Sequence, residues 1–328
     1  MLLISLLLLV VLNLAFTFAQ QPNFYFPPGT SDSQKQQFYQ AFRDAITLAR
    51  FAATTGDPCD QAFRRYFQPQ DYDFVQNIFK EIANIPIAEN PNPMDISRLV
   101  SRSEFNPNFT SLSISLGNHP LWTSEVTSRC DSDPRNGGVL GRLVTQFWAG
   151  VQYQGLMAIC PQSILFSYLG SLQETENPPA WARANRDPNG QPLPGFGCGG
   201  LSDHDSSLML VLGAVFLHEM LHWPRLVRWV PDYDKLIPLD QYGQPTIVDF
   251  VPSPGQYPPA GYGPLYAKTI NEGQPLNPQT GKSASIQNSD NYVWYALSKY
   301  WSFKCGRVFG PSFTQYDMQT ILQRMKPP

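Results

Sequence analysis

Hydrophobic and polar positions recur with two different periods along the chain, and together they predict both helices and strands. After the polar residues 31–33, apolar side chains repeat three and four positions apart as far as Gly56, which predicts a long amphipathic helix. The same spacing predicts a second helix over 72–85. Alternation over 112–116 predicts a half-buried strand, and the apolar run 140–159 fits a helix or two strands. We therefore expect an α+β fold that is mainly helical.

Two segments rich in proline, glycine and aspartate interrupt this pattern. Residues 177–200 and 231–264 predict loops that are long enough to be functional. The chain contains no internal repeat and no linker-like composition, so a single domain over residues 20–328 is expected. Its helical N-terminal part, about 20–135, is either a removable propeptide or part of the folded body, and its helices and two cysteines favour the folded body. The catalytic part is expected over about 136–328.

The N-terminus carries features of a secreted protein. An apolar run over 2–12 precedes the small-x-small pattern at Thr17 and Ala19, which predicts a signal peptide over residues 1–19. A signal anchor is the alternative interpretation. No later segment approaches eighteen apolar residues, so no membrane association is expected after cleavage. In a secreted protein, the sequon that starts at Asn108 is a candidate glycosylation site.

Composition limits the classes of partner. With 42% hydrophobic and 15% charged residues, the chain can bury a sizeable core. The 23 Lys and Arg residues against 26 Asp and Glu residues give a net charge of −3, which leaves no basic surface for phosphates. Nucleic acid is therefore not an expected partner, and we expect a monomer.

The five cysteines agree with an oxidising compartment, although their number is odd. Sequence alone does not determine how cysteines pair. The favoured pairing joins Cys59 to Cys130 and Cys160 to Cys198, and it leaves Cys305 unpaired.

A strongly apolar segment contains the residues with the clearest chemistry. Residues 206–223 form a run that is hydrophobic nearly all round and ends at Pro224, which predicts a buried helix. His218, Glu219 and His222 are set into this run. Histidines four positions apart lie on one helical face and can bind one cation, while the adjacent glutamate can reach a water held by that cation. This is the HExxH arrangement of zinc peptidases.

A catalytic zinc site needs a third protein ligand. No histidine follows His222, and the extended metzincin pattern is absent because Arg225 and Arg228 occupy its glycine and histidine positions. Glu272 is the one later glutamate and lies in a predicted turn. Aspartate remains, and Asp249 is favoured because apolar neighbours on both sides would hold it rigidly. The other downstream aspartates are Asp232, Asp234, Asp240, Asp290 and Asp317.

These elements resemble the aspzincin metallopeptidases, which include deuterolysin, the peptidyl-Lys metalloendopeptidases and related fungal secreted proteins. The resemblance rests on the HExxH motif at 218–222, on Tyr262 with Gly263 and Pro264, and on the segment 288–296. The three elements occur in the family order and cover about residues 205–302. The resemblance implies a zincin-like fold and one zinc ion per chain.

The resemblance also implies roles for individual residues. Tyr262 would donate a hydrogen bond to the oxyanion of the reaction, although a turn aromatic covering the core is the alternative. The family places its ligand aspartate three residues before this tyrosine, where the present chain has Pro259. Asp249 then requires a longer intervening loop, and Asp240 and Asp234 remain alternatives.

The segment that begins at Asn288 has two interpretations. Asn288 or Ser289 could cap a helix whose apolar residues pack inward. Asp290 could orient a ligand histidine, because zinc-bound histidines usually donate their second N–H group to an acceptor. His119 and His204 show no partner pattern.

The expected function is that of a secreted zinc-dependent endopeptidase acting on proteins or peptides, with Glu219 as the general base. The alternative is a secreted, non-catalytic binding protein that keeps the peptidase scaffold, with or without the metal.

Overall fold

A computed structural model provides the coordinates of the chain. It describes residues 21–313 except 124–125, 127–129, 131–139, 149–150, 167–169, 184, 187–188, 191, 241 and 252–256. The predicted signal peptide lies outside the described residues. In the described part of the chain, no helix combines the length and the apolar character that a membrane span requires.

Helices make up most of the regular structure, as the hydrophobic pattern predicts. The α-helices of the described residues are α1 (Asp32–Thr55), α2 (Gln61–Tyr66), α3 (Tyr72–Ala83), α4 (Ile96–Val100), α5 (Pro161–Phe166), α6 (Leu172–Glu176), α7 (Leu212–Leu221), α8 (Pro224–Val227), α9 (Tyr233–Leu236), α10 (Gly263–Gly273) and α11 (Ser289–Cys305). The strands are β1 (Asn23–Tyr25), β2 (Leu112–Leu116), β3 (Gly141–Trp148), β4 (Val151–Ile159), β5 (Asn185–Arg186) and β6 (Pro192–Leu193).

The main sheet contains four strands in the order β1-β2-β4-β3. Strand β2 pairs in parallel with both β1 and β4, and β3 pairs antiparallel to β4. The apolar run 140–159 thus forms two strands. All five residues of β2 are buried, so the prediction that this strand is half-buried is wrong. A strand with neighbours on both sides and helices against the sheet has no solvated face, which its alternating pattern does not reveal.

Helix α1 forms because local signals agree with its apolar stripe. The Ser31 hydroxyl accepts from the Gln34 backbone, the Gln34 side chain reaches back to the Ser31 backbone, and the helix ends before Gly56. Its buried face packs on α7, with the Phe38 and Phe216 rings 5.0 Å apart. The N-terminal helices therefore contribute to the same core as the helix that carries the HExxH motif.

The predicted loops contain short regular elements. Segment 177–200 contains one 3₁₀ turn and the two-stranded β5–β6 pairing, and segment 231–264 contains α9. Glu272, expected in a turn, lies near the end of helix α10 instead, where it is ion-paired with Lys268 at 3.3 Å. Asn108 is partly buried in the 3₁₀ turn Pro107–Ser111.

The disulfide pairing differs from the one that the sequence favoured. Cys130 is bonded to Cys160, and Cys198 is bonded to Cys305, while Cys59 is free and exposed. The first bond joins a residue between β2 and β3 to the residue that follows β4. The second bond joins the segment after β6 to the last residue of α11. The pairing depends on which segments the tertiary fold brings together, and spacing along the sequence does not encode this.

We expect the native protein to expose a single reactive thiol, at Cys59. Labelling under native conditions followed by a non-reducing digest should give one labelled peptide and two linked pairs, Cys130 with Cys160 and Cys198 with Cys305. Labelling of Cys305 in the folded protein would refute this connectivity.

Asp44 is a buried carboxyl between α1 and the start of α6. It is 3% exposed, and it accepts hydrogen bonds from the Leu172 N–H and the Gln40 amide, both at 2.8 Å. Burial raises the pKa of Asp44 from 3.8 to about 6, against the lowering effect of these bonds. Because the folded-state pKa exceeds the unfolded value, the stability that Asp44 contributes is complete below the unfolded pKa. It is lost as pH rises through about 6.

Replacing Asp44 by asparagine should therefore stabilise the protein at pH 8, by about 3 kcal/mol for a shift of about two pKa units. At pH 4 the gain should largely vanish, because the wild-type carboxyl is then protonated in the folded protein. Urea unfolding of both proteins between pH 4 and pH 8 measures the difference. A gain that does not change with pH would show that ionisation of Asp44 is not its cause.

Candidate metal centre

The two motif histidines lie at the end of helix α7. The helix spans Leu212–Leu221, which is shorter than the apolar run predicts, and His222 is the residue that caps its C-terminus. Pro224 follows two positions later and starts α8. The His218 and His222 rings have centroids 4.9 Å apart and are inclined at 82°. They lie one turn apart, so both Nε2 atoms can face one space.

Asp249 comes from an extended segment that lies against the start of α11. Val248 donates its N–H to the Gln287 carbonyl at 2.9 Å and accepts from the Ser289 N–H at 3.0 Å. This backbone pairing brings Asp249 Oδ1 to 2.9 Å from His218 Nε2 and to 3.3 Å from His222 Nε2. One ligand atom from each of the three residues lies within 4.8 Å of the other two. The structure therefore brings these three predicted ligands together.

The other ring nitrogen of each histidine, Nδ1, has a hydrogen-bond partner of its own. His218 Nδ1 is 2.7 Å from Asp290 Oδ1, and His222 Nδ1 is 2.8 Å from the Ile247 carbonyl. Both partners accept hydrogen bonds, so each Nδ1 carries the proton. In a neutral imidazole the lone pair then belongs to Nε2, which is the atom that faces Asp249.

This donor set suits a divalent transition metal such as zinc. Zinc in proteins takes imidazole nitrogen and carboxylate oxygen at about 2.0–2.1 Å in tetrahedral geometry, which separates neighbouring ligand atoms by about 3.3 Å. The distances of 2.9 and 3.3 Å from Asp249 Oδ1 to the two Nε2 atoms are close to that separation. Three protein ligands would leave a fourth position for a water molecule.

Asp290 completes the support of His218. It is 8% exposed, and besides His218 its carboxylate accepts the Gly263 N–H at 2.5 Å and the Trp294 indole N–H at 3.3 Å. The carboxylate thus fixes the ring orientation of His218 and holds the start of α10. This placement matches the orienting role expected from the sequence.

Without a metal, the three residues interact as ion pairs. Burial by itself would lower the pKa of His218 and His222, but the Asp249 carboxylate raises both above the usual value, and Asp290 adds to the effect at His218. Burial would raise the pKa of Asp249, but the two imidazoles hold it well below its ordinary range. Protons and a metal ion therefore compete for the Nε2 atoms of the two histidines, so metal affinity should weaken as pH falls.

Glu219 lies beside the three candidate ligands and is not a member of their cluster. It is 4% exposed, and burial raises the pKa of its carboxyl above the usual value. The carboxylate packs against Gly141 at the start of β3: a Cβ atom built on that glycine would lie 2.7 Å from Glu219 Oε1. A side chain at position 141 would therefore force the Glu219 carboxylate to move. The sequence shows a glycine at position 141, but its contact with Glu219 becomes visible only in the folded chain.

If Glu219 is the general base of a hydrolysis, as the sequence predicts, replacing Gly141 by alanine should reduce turnover about 10- to 100-fold, because the new methyl group displaces the Glu219 carboxylate. Zinc content and the free energy of unfolding should change little, since the displaced atom ends a flexible side chain. Gly273→Ala is the matched control, because a Cβ there meets nothing within 4 Å. A Gly141→Ala protein with wild-type turnover would separate this contact from catalysis.

The Tyr262 hydroxyl is hydrogen-bonded to Asp249. It donates a hydrogen bond to Asp249 Oδ2 at 2.8 Å, and its ring lies 6.1 Å from the His218 ring at an angle of 20°. The side chain remains 49% exposed, although partial burial and the Asp249 carboxylate raise its pKa. Tyr262 is therefore a wall of the site, and its hydroxyl helps determine which oxygen of Asp249 faces the histidines.

Two site residues were missed as such by sequence reasoning. Ser289 donates its hydroxyl to Asp249 Oδ1 at 2.9 Å and lies 3.4 Å from His218 Nε2. Asn288 contacts Phe250 and Gly261, which lie on two separate segments. The sequence predicts that Asn288 or Ser289 caps a helix, yet the contacts of these two residues with the site are not visible there, because hydrogen bonds between distant segments leave no periodic signal.

The other candidates in the described part of the chain lie outside this cluster, and Asp317 lies outside the described residues. Asp240 accepts the Tyr242 and Gln244 N–H groups at 2.8 and 2.9 Å and so shapes a turn, and Asp234 is exposed on α9. His119 accepts the Leu121 N–H at its Nδ1 atom and is bonded to Ser113, while His204 is paired with Asp203. Asp240 and Asp234 are therefore not part of the three-residue cluster.

The chain was also compared with protein-family models, with curated proteins and with solved structures, and nothing matched it.

Proposed function

We propose that this protein is a secreted zinc-dependent endopeptidase of the zincin-like, aspzincin type, with His218, His222 and Asp249 as zinc ligands. The observation that carries the proposal is the convergence of the three ligand atoms beside a buried glutamate. Two partly buried imidazoles with outward Nδ1 bonds and an adjacent general base form the arrangement that metal-assisted hydrolysis requires. The two disulfides support an extracellular location.

A bound zinc ion would supply a Lewis acid for the scissile carbonyl and would make a water molecule more acidic. The chain itself supplies the proton transfers. Glu219 takes a proton from the attacking water and returns it to the leaving amine, and its raised pKa keeps it able to do both. No covalent bond to the protein is formed. Tyr262, at the exposed side of the site, is placed to donate to the developing oxyanion once its hydroxyl turns from Asp249.

The position of β3 supports a peptide as the substrate class. Within the described residues, β3 pairs with β4 on one side and with no strand on the other. An extended peptide could add to this free edge through backbone hydrogen bonds. Its path would pass Gly141, which contacts the general base. Recognition through the backbone would accept many sequences, as an endopeptidase requires.

Metal removal tests the proposal. Purified protein should contain about one zinc per chain and should cleave an unfolded protein substrate. A chelator should abolish cleavage, and zinc should restore it. Cleavage that persists in metal-free protein would overturn the proposal. One bound zinc without any cleavage would instead support the alternative of a binding protein on a peptidase scaffold.

A further inference from the structure

Asn288 lies between the two segments that carry Asp249 and Tyr262. It is 1% exposed. Its Oδ1 atom accepts the Phe250 N–H at 3.0 Å, and its Nδ2 group donates to the Gly261 carbonyl at 3.0 Å. Ten residues separate these two partners along the chain, so one side chain joins two segments that are distant in sequence.

Each partner of Asn288 is the immediate neighbour of a site residue. Phe250 follows Asp249, and Gly261 precedes Tyr262. The contact with Gly261 is close: a Cβ atom built on this glycine would lie 2.2 Å from Asn288 Oδ1. The Asn288 amide therefore fixes the backbone directly after Asp249 and directly before Tyr262.

Asn288 is not used as an ordinary helix cap. It precedes α11 at the N-cap position, yet its side chain accepts no hydrogen bond from the first turn. The Nδ2 group instead also donates to Asn291 Oδ1 at 2.7 Å. Asn291 is fully buried and donates to the carbonyls of Tyr66 and Ala267 at 2.6 and 2.9 Å. Asn288 is thus anchored to the core at one end and to the site at the other.

We propose that Asn288 is a positioning residue that holds Asp249 and Tyr262 in register with the two histidines, an inference that rests on the proposed metal function. The geometry requires both an acceptor and a donor at one point, which asparagine supplies. Loss of the Asn288 amide would free the two segments that contain Phe250 and Gly261. Asp249 would then lose its fixed distance to His218 and His222, and metal affinity would fall while the fold persists.

Zinc affinity measured by competition with a chromophoric chelator tests the proposal on the full chain. Asn288→Ala should bind zinc about 10- to 100-fold more weakly, which is the usual cost of losing a group that orients a ligand. Urea unfolding of the metal-free proteins provides a readout of the fold itself.

Asn106→Ala is the matched control. Asn106 is also buried, at 5% exposure, and likewise joins one backbone N–H, of Asn108, to one carbonyl, of Glu81. It should lose comparable stability and keep wild-type zinc affinity. Gly261→Ala, which pushes into Asn288 from the opposite side, should reproduce the weaker zinc binding if Asn288→Ala does not fold.

The outcomes separate two questions. Wild-type protein that binds no zinc overturns the proposed metal centre and, with it, the positioning role. Wild-type protein that binds zinc, together with an Asn288→Ala or Gly261→Ala protein of unchanged affinity, overturns the positioning role alone. A zinc affinity that falls equally in Asn106→Ala would also overturn it, because the effect would then follow general destabilisation.

Discussion

Replacing Glu219 by glutamine is expected to reduce peptide hydrolysis by about 10²- to 10⁴-fold, the usual contribution of a general base. The amide has nearly the shape of the carboxylate but cannot accept a proton from the attacking water. Zinc content should stay at the wild-type level, because Glu219 is not one of the three converging ligands. Steady-state rates on an unfolded protein substrate, with zinc measured on the same samples, give both quantities.

Glu272→Gln provides the control for this experiment. Glu272 is the other glutamate of the C-terminal third, and it is ion-paired with Lys268 on α10, away from the cluster. Its replacement should leave the rate unchanged. If purified Glu219→Gln protein were as active as wild type, another residue would have to be the base.

Replacing Asp249 by alanine should weaken zinc binding by at least about 100-fold, since removing a ligand costs more than removing a group that merely orients one. The variant also leaves the Ser289 and Tyr262 hydroxyls without their shared acceptor. In the metal-free protein the pKa of both histidines should fall, because burial then acts without the Asp249 carboxylate, and it should fall less at His218, where Asp290 remains. Zinc titration and NMR titration of the histidines measure the two effects.

Asp234→Ala is the suitable comparison, because Asp234 was an alternative ligand on sequence grounds and is exposed on α9. It should bind zinc as the wild type does. Full zinc affinity in Asp249→Ala would show that a different residue completes the site.

The parts of the site that follow from one helix could be predicted from the sequence. His218, Glu219 and His222 are close because the helical repeat alone places them so. Helix α1 was equally predictable, since its capping residues, its apolar stripe and its terminal glycine agree. In both cases the information lies within a few turns of the chain.

Asp249 was favoured only because apolar residues flank it, and that argument left Asp240 and Asp234 open. The deciding interaction is the backbone pairing of Val248 with the start of α11, forty positions further along the chain. The disulfides were mispredicted for a similar reason, since chain separation says little about which cysteines meet. Gly141 lies almost eighty residues before Glu219, so its role became visible only through the sheet.

The predicted helix over 206–223 illustrates a further limit. A continuous apolar run shows burial but does not fix where the helix begins. In the structure a 3₁₀ turn and two extended residues precede Leu212, and the helix ends before His222. This ending aims the His222 ring at the Ile247 carbonyl and at Asp249. Helix termination is thus part of the construction of the site.

The most direct test of the central claim is anomalous diffraction at the zinc absorption edge from crystals of the zinc-loaded protein. The account predicts one strong peak about 2.0–2.2 Å from His218 Nε2, His222 Nε2 and an Asp249 carboxylate oxygen. A peak at other residues, or no peak between these three side chains, would contradict it.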